Sequence, residues 1–250
     1  MMETFDPDAI ERAVFVLAQR HDALDEPWHA YRRTRLIHVS EGILMVSTDA
    51  GRWVVPPRHA MWVLPGVLHR VHAAGTVCLH TLYADPDAAP APEQCGVVEF
   101  DRLAEELLVA VAGLAEHYPP DGRDARLVRV LLDRLPDLAV APLGLKQPVD
   151  PRIQRIAEAL SENPAEHAIL DALAEAAGVT ARTAARLFVK ETGQTFGQWR
   201  QQLRLLAALE RLATGASVTQ VALEVGYNDV SSFIAVFRDA LGETPARYFR

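Results

Sequence analysis

The chain has 250 residues, half of them apolar and under a quarter charged, which is the composition of one large or two ordinary folded domains and not of a disordered chain. Two cysteines, Cys78 and Cys95, exclude a disulfide scaffold and match no zinc spacing. The net charge of −8 is unevenly placed: residues 1–147 hold 14 Lys/Arg against 21 Asp/Glu (−7), and residues 148–250 hold 11 against 12 (−1), so anion binding in the second part must rest on local clustering.

The start, MMETFDPDAIERAV, is acidic and lacks a basic segment leading into an apolar one, so no secretory signal is expected. Asp8–Gln19 has a weak helical period. From Thr34 to Tyr83 the texture changes to short β-type runs, TRLIHVS, GILMVST, GRWVV, AMWVL, HRVHA and TVCLHTLYA, separated by Gly and Pro turns. Six or more such strands predict a small antiparallel barrel over about 28–86. Apolar residues then recur at helical spacing over 99–117 (Leu103, Leu107, Val111, Leu114) and 123–135 (Leu127, Val130, Leu131, Leu135). These helices either cover the barrel or form a dimer seam. The longest apolar run, near Leu103–Leu114, is broken by Glu105 and Glu106, so no membrane span is expected. The stretch PDLAVAPLGLKQPVDP, rich in proline and without a period, predicts a linker over 137–148, dividing a first domain (1–136) from a second (149–250).

The second part writes one pattern twice. In the first copy, Ile169–Ala177 reads as a helix, Gly178 as its left-handed end and Val179 as an apolar plug. Thr180 is then the N-cap of a helix over Ala181–Thr192 that ends at Gly193. In the second, Val218–Val225, Gly226, Tyr227, a cap at Asn228 or Asp229 and a helix to Leu241 repeat the plan, with a turn longer by one residue. Helix, tight glycine turn, helix is the helix-turn-helix plan, whose second helix enters a DNA major groove. Between the copies, Phe196, Trp199, Leu203, Leu206, Leu209 and Leu212 form a regular stripe over Thr195–Ala213, a rod able to hold two readers about one DNA turn apart. Arg182, Arg186 and Lys190 fall at i, i+4 and i+8, on one face of the first reader. A bare charge stripe is usually a solvated face, but this one lies where phosphate or guanine must be met. The matching face of the second reader offers Val230, Ser231, Ser232 and Ala235, with Arg238 further on, which suits phosphates and thymine methyls.

On the strength of GVTARTAARLFVKETGQTF and ALEVGYNDVSSFIAVFRDALGETPARY, residues 149–250 resemble the DNA-binding domain of the AraC/XylS transcription regulators. The resemblance implies base-facing positions at Arg182, Thr183, Ala185 and Arg186, then Val230, Ser231 and Ala235. Alanine at 185 and 235 weakens direct readout there. The run from Gly51 to Pro86 resembles the cupin-like sensor domain of one branch of that family, over roughly Trp28–Pro86. Cupin ligand positions fall on His29, Tyr31, Arg35 and His69, with Trp62 nearby. Tyrosine and arginine are poor substitutes for metal donors, so neither a metal, a cofactor nor catalysis is expected.

The expected fold is therefore α+β in two domains: an antiparallel cupin-like barrel with following helices, then an all-α domain with two helix-turn-helix motifs on one long helix. The expected protein is a cytoplasmic DNA-binding transcription regulator. Its partners would be double-stranded DNA, a small-molecule effector with an anionic or strongly accepting group, RNA polymerase and a second copy of itself, with no membrane. The alternatives are a cupin-type metalloenzyme with a helical appendage, or a DNA-binding protein whose barrel only dimerises.

Overall fold

Asp8–Gln19, expected as a helix, is a 3-10 turn at Pro7–Ala9 followed by strand β1 (Val14–His21). Tertiary pairing overrides the weak period: β1 runs antiparallel along the whole of β8 (Val77–Ala84), and Val14, Phe15 and Val16 are buried by it. The computed structural model describes residues 5–115 and 117–249, so Glu116 of the second predicted helix and Arg250 of the terminal motif lie outside it. The chain forms two units, Met1–Asp49 with Trp53–Leu143, and Ala50–Arg52 with Gly144–Arg250.

In the first unit the remaining strands are β2 (Leu24–His29), β3 (Thr34–Glu41), β4 (Leu44–Thr48), β5 (Gly51–Val55), β6 (His59–Val63), β7 (His69–Ala73) and β9 (Gly96–Glu99). One sheet has the order β1-β8-β3-β6-β9; the other carries β5, β4, β7 and β2. The β region thus begins near residue 14 and extends to 99, wider than the expected 28–86. β2 and β9 were missed because β2 carries a proline among polar residues and β9 is short, and each gains its strand character from a partner: β2 from β7, β9 from β6.

Strand parity divides the first sheet into two faces. Arg35, Ile37 and Val39 of β3 are paired with Tyr83, Thr81 and Leu79 of β8 and lie on one face; Leu36 and His38 lie on the other with Leu82 and His80. That second face is covered by helices α1 (Arg102–Ala112) and α2 (Arg123–Arg134): Leu107, Leu108 and Val111, with Val128 and Leu131, join Leu36, Leu82 and Trp62 in one buried cluster. The helices cover the sheet, and two residues of the expected stripes lie outside it, since Leu103 and Val130 are 55% and 49% exposed. The expected linker is also tied down. Glu99 N–H donates to Ala139 O and Ala141 N–H to Val97 O, and Leu143 is fully buried, so 137–143 is a packed return segment.

The second unit contains strand β10 (Gly144–Lys146) and seven helices: α3 (Pro151–Glu162), α4 (Leu170–Ala176), α5 (Ala181–Thr192), α6 (Phe196–Ala213), α7 (Val218–Glu224), α8 (Val230–Leu241) and α9 (Pro245–Tyr248). Helix α6 opens with a full capping box: Thr195 Oγ1 accepts from Gln198 N–H, and Gln198 Oε1 accepts from Thr195 N–H. It buries the whole predicted stripe together with Leu205 and Ala208. No helix among the described residues is long and apolar enough to cross a membrane.

Beneath α1 sits a histidine in an unusual setting. His38 is fully buried, stacks 4.8 Å from the Phe100 ring, and neither ring nitrogen has a hydrogen-bond partner among the described residues; Glu105 Oε1 of α1 stands 3.9 Å from Nε2. Burial, with His80 and His59 nearby, pushes its pKa down to about 4. The native state therefore keeps His38 neutral while the unfolded chain protonates it below its ordinary value, so stability is present above pH 6.5 and lost as pH falls toward 4. The fall attributable to this residue is about 3 kcal/mol. His38→Leu should be at least as stable as the parent at pH 7 and should show a flatter loss of Tm between pH 7 and 4.5 in calorimetry. An unchanged slope would show that His38 is not the group responsible.

Candidate nucleic-acid interface and sensor site

The two repeats are built by the same local chemistry. Helix α4 ends at Gly178 (φ +73°), where Val179 N–H reaches back to Ala174 O and Gly178 N–H to Glu175 O. Helix α7 ends at Gly226 (φ +88°), where Tyr227 N–H reaches Ala222 O and Gly226 N–H reaches Leu223 O. Both are Schellman ends, which demand a left-handed residue. Thr180 then caps α5 through Thr183 N–H, and Asp229, not Asn228, caps α8 through Ser232 N–H at 2.8 Å. Gly193 (φ +77°) and Gly242 (φ +79°) end α5 and α8 alike.

Each second helix turns its apolar face to a core and its polar face outward. In α5, Ala184, Leu187 and Phe188 are buried, with Phe188 against Phe196 (5.3 Å) and Trp199 (5.5 Å) of α6. The face with Arg182, Arg186 and Lys190 is exposed, while Thr183 and Ala185 are half-buried on its flank. In α8, Phe233 and Phe237 are buried, Ser231, Ser232, Ala235 and Arg238 are exposed, and Val230 is half-buried. Ser232, exposed on the expected face, also donates its hydroxyl to Asp229 Oδ2 at 2.7 Å, completing the cap. That hydrogen bond, with the backbone ones from Ser232 and Ser231, holds the Asp229 carboxyl below its ordinary range.

Within the first unit, three strands converge on one guanidinium. Arg35 of β3 is 2% exposed; its Nη1 lies 2.9 Å from Glu26 Oε2, 3.3 Å from His29 Nε2 and 3.3 Å from His69 Nε2, and its Nη2 lies 3.3 Å from Glu26 Oε1. His29 Nδ1 is 2.7 Å from Pro27 O and His69 Nδ1 is 2.9 Å from Val67 O. A carbonyl only accepts, so each Nδ1 carries the proton and each Nε2 offers its lone pair to the arginine. Burial works against the Glu26 charge, yet the charge and hydrogen bonds of Arg35 outweigh it and hold that carboxyl below its ordinary value. Burial, joined by Arg35 and His29, pushes His69 down to about 4, so it stays neutral. Tyr31 and Tyr83 lie under the guanidinium at 5.8 and 5.6 Å.

This donor set does not fit a metal ion. The nitrogen on which two imidazoles and a carboxylate converge belongs to a permanent cation, and a divalent ion would meet its charge directly. Among the described residues no group of three His, Cys, Asp or Glu is arranged to hold one. His29, Tyr31, Arg35 and His69 are thus brought together as expected, but Trp62 is not with them. It pairs with Leu36 and lies in the cluster under α1 and α2, on the opposite face from Arg35. Its parity in β6 was set by register, which the sequence did not reveal.

A family model for AraC-like ligand-binding domains matches residues 12–181, and one for a helix-turn-helix domain matches residues 173–250. The chain belongs to the AraC-type transcription regulators. The regulator is 33% identical to the HTH-type transcriptional regulator NimR of Escherichia coli K12 over 246 residues, which is 98% of this chain and 90% of NimR. It is 35% identical to the HTH-type transcriptional regulator RipA of Corynebacterium glutamicum over 153 residues, 61% of this chain and 42% of RipA. The regulatory protein SoxS of Salmonella typhimurium matches 38% of this chain at 32% identity, over 91% of its own length.

Two functional side chains of this AraC-type regulator went unread in the sequence. Glu26 sits in LDEPWH, where a proline and polar residues hid the strand, and its register slips between Glu26 and His29. Arg204 carries no local signal in the sequence. It is half-buried and hydrogen-bonds three backbone carbonyls. For the exposed face of α5, the Arg182→Ala/Arg186→Ala protein should bind duplex DNA at least about tenfold more weakly. Each phosphate contact removed should lower the salt slope by about one. Titration at several salt concentrations reads both, and unchanged affinity would remove α5 from the interface.

Proposed function

We propose that this regulator reads duplex DNA with α5 and α8 in two successive major grooves and that its first domain (1–136) senses a small molecule. Residues 149–250 are the DNA-binding part, with Arg182, Thr183, Ala185, Arg186 and Lys190 facing one groove and Val230, Ser231, Ala235 and Arg238 the other. The carrying observation is the pair of like-built helix-turn-helix copies flanking one 18-residue helix. At 1.5 Å per residue that rod is about 27 Å long, close to the ~34 Å at which major grooves recur on one face. Ser232, exposed beside Ser231, belongs to the same DNA-facing set while also completing the Asp229 cap.

The effector acts by favouring one arrangement of the protein over another. Arg35 is its anchor, and the effector carries an anionic or strongly accepting group. The Arg35 charge is already met by Glu26, so a carboxylate must compete with that side chain. Exposed Leu103, Val109 and Val130 on α1 and α2 support a homodimer. The protein works in the cytoplasm, contacts RNA polymerase when bound, and performs no catalysis.

Hydroxyl-radical footprinting should show two protected major-groove segments per protomer, centred about 10 base pairs apart on one face. Proline in place of buried Leu205 should cost at least ~3 kcal/mol and abolish the paired pattern. One protected groove per protomer would make the second copy structural.

For the sensor site, protein purified without chelator should carry no stoichiometric metal by elemental analysis. Glu26→Gln should enlarge the thermal shift produced by small carboxylates. Near one metal ion per chain, lost in His69→Ala, would overturn the first; stabilisation by neutral apolar compounds alone would overturn the second.

A further inference from the structure

Arg204 lies in the middle of α6, between the two helix-turn-helix copies. Its Nε donates to Pro164 O at 2.9 Å and its Nη2 to Glu166 O at 2.9 Å, both in the loop that leads into α4. Its Nη1 donates to Gly226 O at 3.1 Å, in the turn of the second copy. The guanidinium also sits 6.0 Å over the Tyr227 ring. One turn earlier, Arg200 Nη1 donates to Ala168 O at 2.9 Å, so the same loop is held at two points.

Gly226 faces this contact at close range. A Cβ built on it would stand 2.8 Å from Arg204 Nη2 and 2.9 Å from Ala165 Cα. The glycine is therefore required twice, by its φ of +88° and by the backbone of the other copy against its α-carbon. Gly178, its counterpart in the first copy, has nothing within 4 Å of the same position. The asymmetry matters. If Gly226 only ended a helix, the two turns would be equally open.

We infer that Arg204 is the positioning residue that sets the separation and angle of the two DNA-reading helices. It touches no DNA on the proposed reading. It gathers one carbonyl from the turn of the second copy and two from the loop that leads into the first copy into a single planar fork. Lysine has the charge but not the fork, so it cannot hold three carbonyls in fixed directions. The helix α6 supplies distance; Arg204 and Gly226 supply the angle. A duplex with two half-sites rewards that fixed angle, because the second contact then forms intramolecularly. The importance of the angle for DNA affinity rests on the two-groove reading, whereas the clamp itself does not.

The test uses the full chain with Cys78→Ser and Cys95→Ser, nitroxide labels at Val189→Cys and Asp239→Cys, and dilution with unlabelled protein to suppress distances between copies. Both label sites are exposed, one on each reading helix. Pulsed electron resonance without DNA should give one narrow distance for the parent and a broad or displaced distribution for Arg204→Met, Arg204→Lys and Gly226→Ala. Circular dichroism identifies any variant that has unfolded, and the remaining ones decide. A narrow, unshifted distance in Arg204→Met and Gly226→Ala would overturn the clamp.

In a second arm, a duplex selected by the parent from a random pool is compared with the same duplex scrambled in one half. The variants should lose about 10- to 100-fold on the intact site, while their affinity for the half-scrambled site stays within about threefold of the parent's. Equal loss on both duplexes would mean that Arg204 supports one reading helix and not the pair. A parent that gains nothing from the second half-site would defeat the two-groove reading alone, with the distance measurement still deciding the clamp.

Discussion

The DNA-binding unit depends on one helix that must be buried on most of its circumference and yet remain straight. Phe196, Trp199, Leu203, Leu206, Leu209 and Leu212 bury one run of α6, while Leu205 and Ala208 widen the apolar surface beyond a single stripe. A helix with so little exposed face needs elements packed on more than one side of it, and the two helix-turn-helix copies are those elements. Trp199 shows how tightly this is specified. Its ring is fully buried beside Phe188, and its Nε1 still finds Lys146 O at 2.9 Å, so a large apolar body and a polar tip are both accommodated. Removing either copy would expose a long apolar rod to water.

The first unit solves a comparable problem with a buried charge. Arg35 comes from one sheet, while Glu26, His29 and His69 come from strands of the other, so the guanidinium bridges the two layers. A buried cation is tolerable only when its donors are satisfied and its charge is met. Glu26 provides the counter-charge in two-point geometry, and the two imidazoles, each fixed by a backbone carbonyl, provide neutral acceptors. Among the described residues the Nε of Arg35 has no hydrogen-bond partner.

Much of the second unit was legible because its signals are local. A glycine at a helix end, a Thr or Asp three residues before its hydrogen-bonded amide, and leucines at helical spacing are readable without knowing any neighbour. The cap at Thr180 and the glycine ends at 178, 193 and 226 follow from residue type alone, whereas the choice of Asp229 over Asn228 came from the structure. The first unit was harder. The helical reading of Asp8–Gln19 failed because Val14, Phe15 and Val16 are drawn into a strand by Ala84, Tyr83 and Leu82 of β8, far along the chain. Trp62 was expected near Arg35, and only the register of β3 against β6 turns them to opposite faces. A shift of one residue inverts a strand's faces, and no local residue reports it.

By itself, then, the sequence determined the repeated helix-turn-helix plan, the long connecting helix, the exposed Arg182–Arg186–Lys190 face and the strand-rich character of the first part. Periodicity and caps act over a few residues, and these features need nothing more. Only the tertiary structure decided that Glu26 neutralises Arg35, that Trp62 lies under the helices, and that Arg204 ties the loop before α4 to the turn at Gly226. Each of these is a meeting of groups from separate elements, in register or at an angle set by packing over long sequence distances. The physical reason is that hydrogen-bond partners of buried polar groups are chosen by the fold, while the residue type fixes only how many partners each group requires.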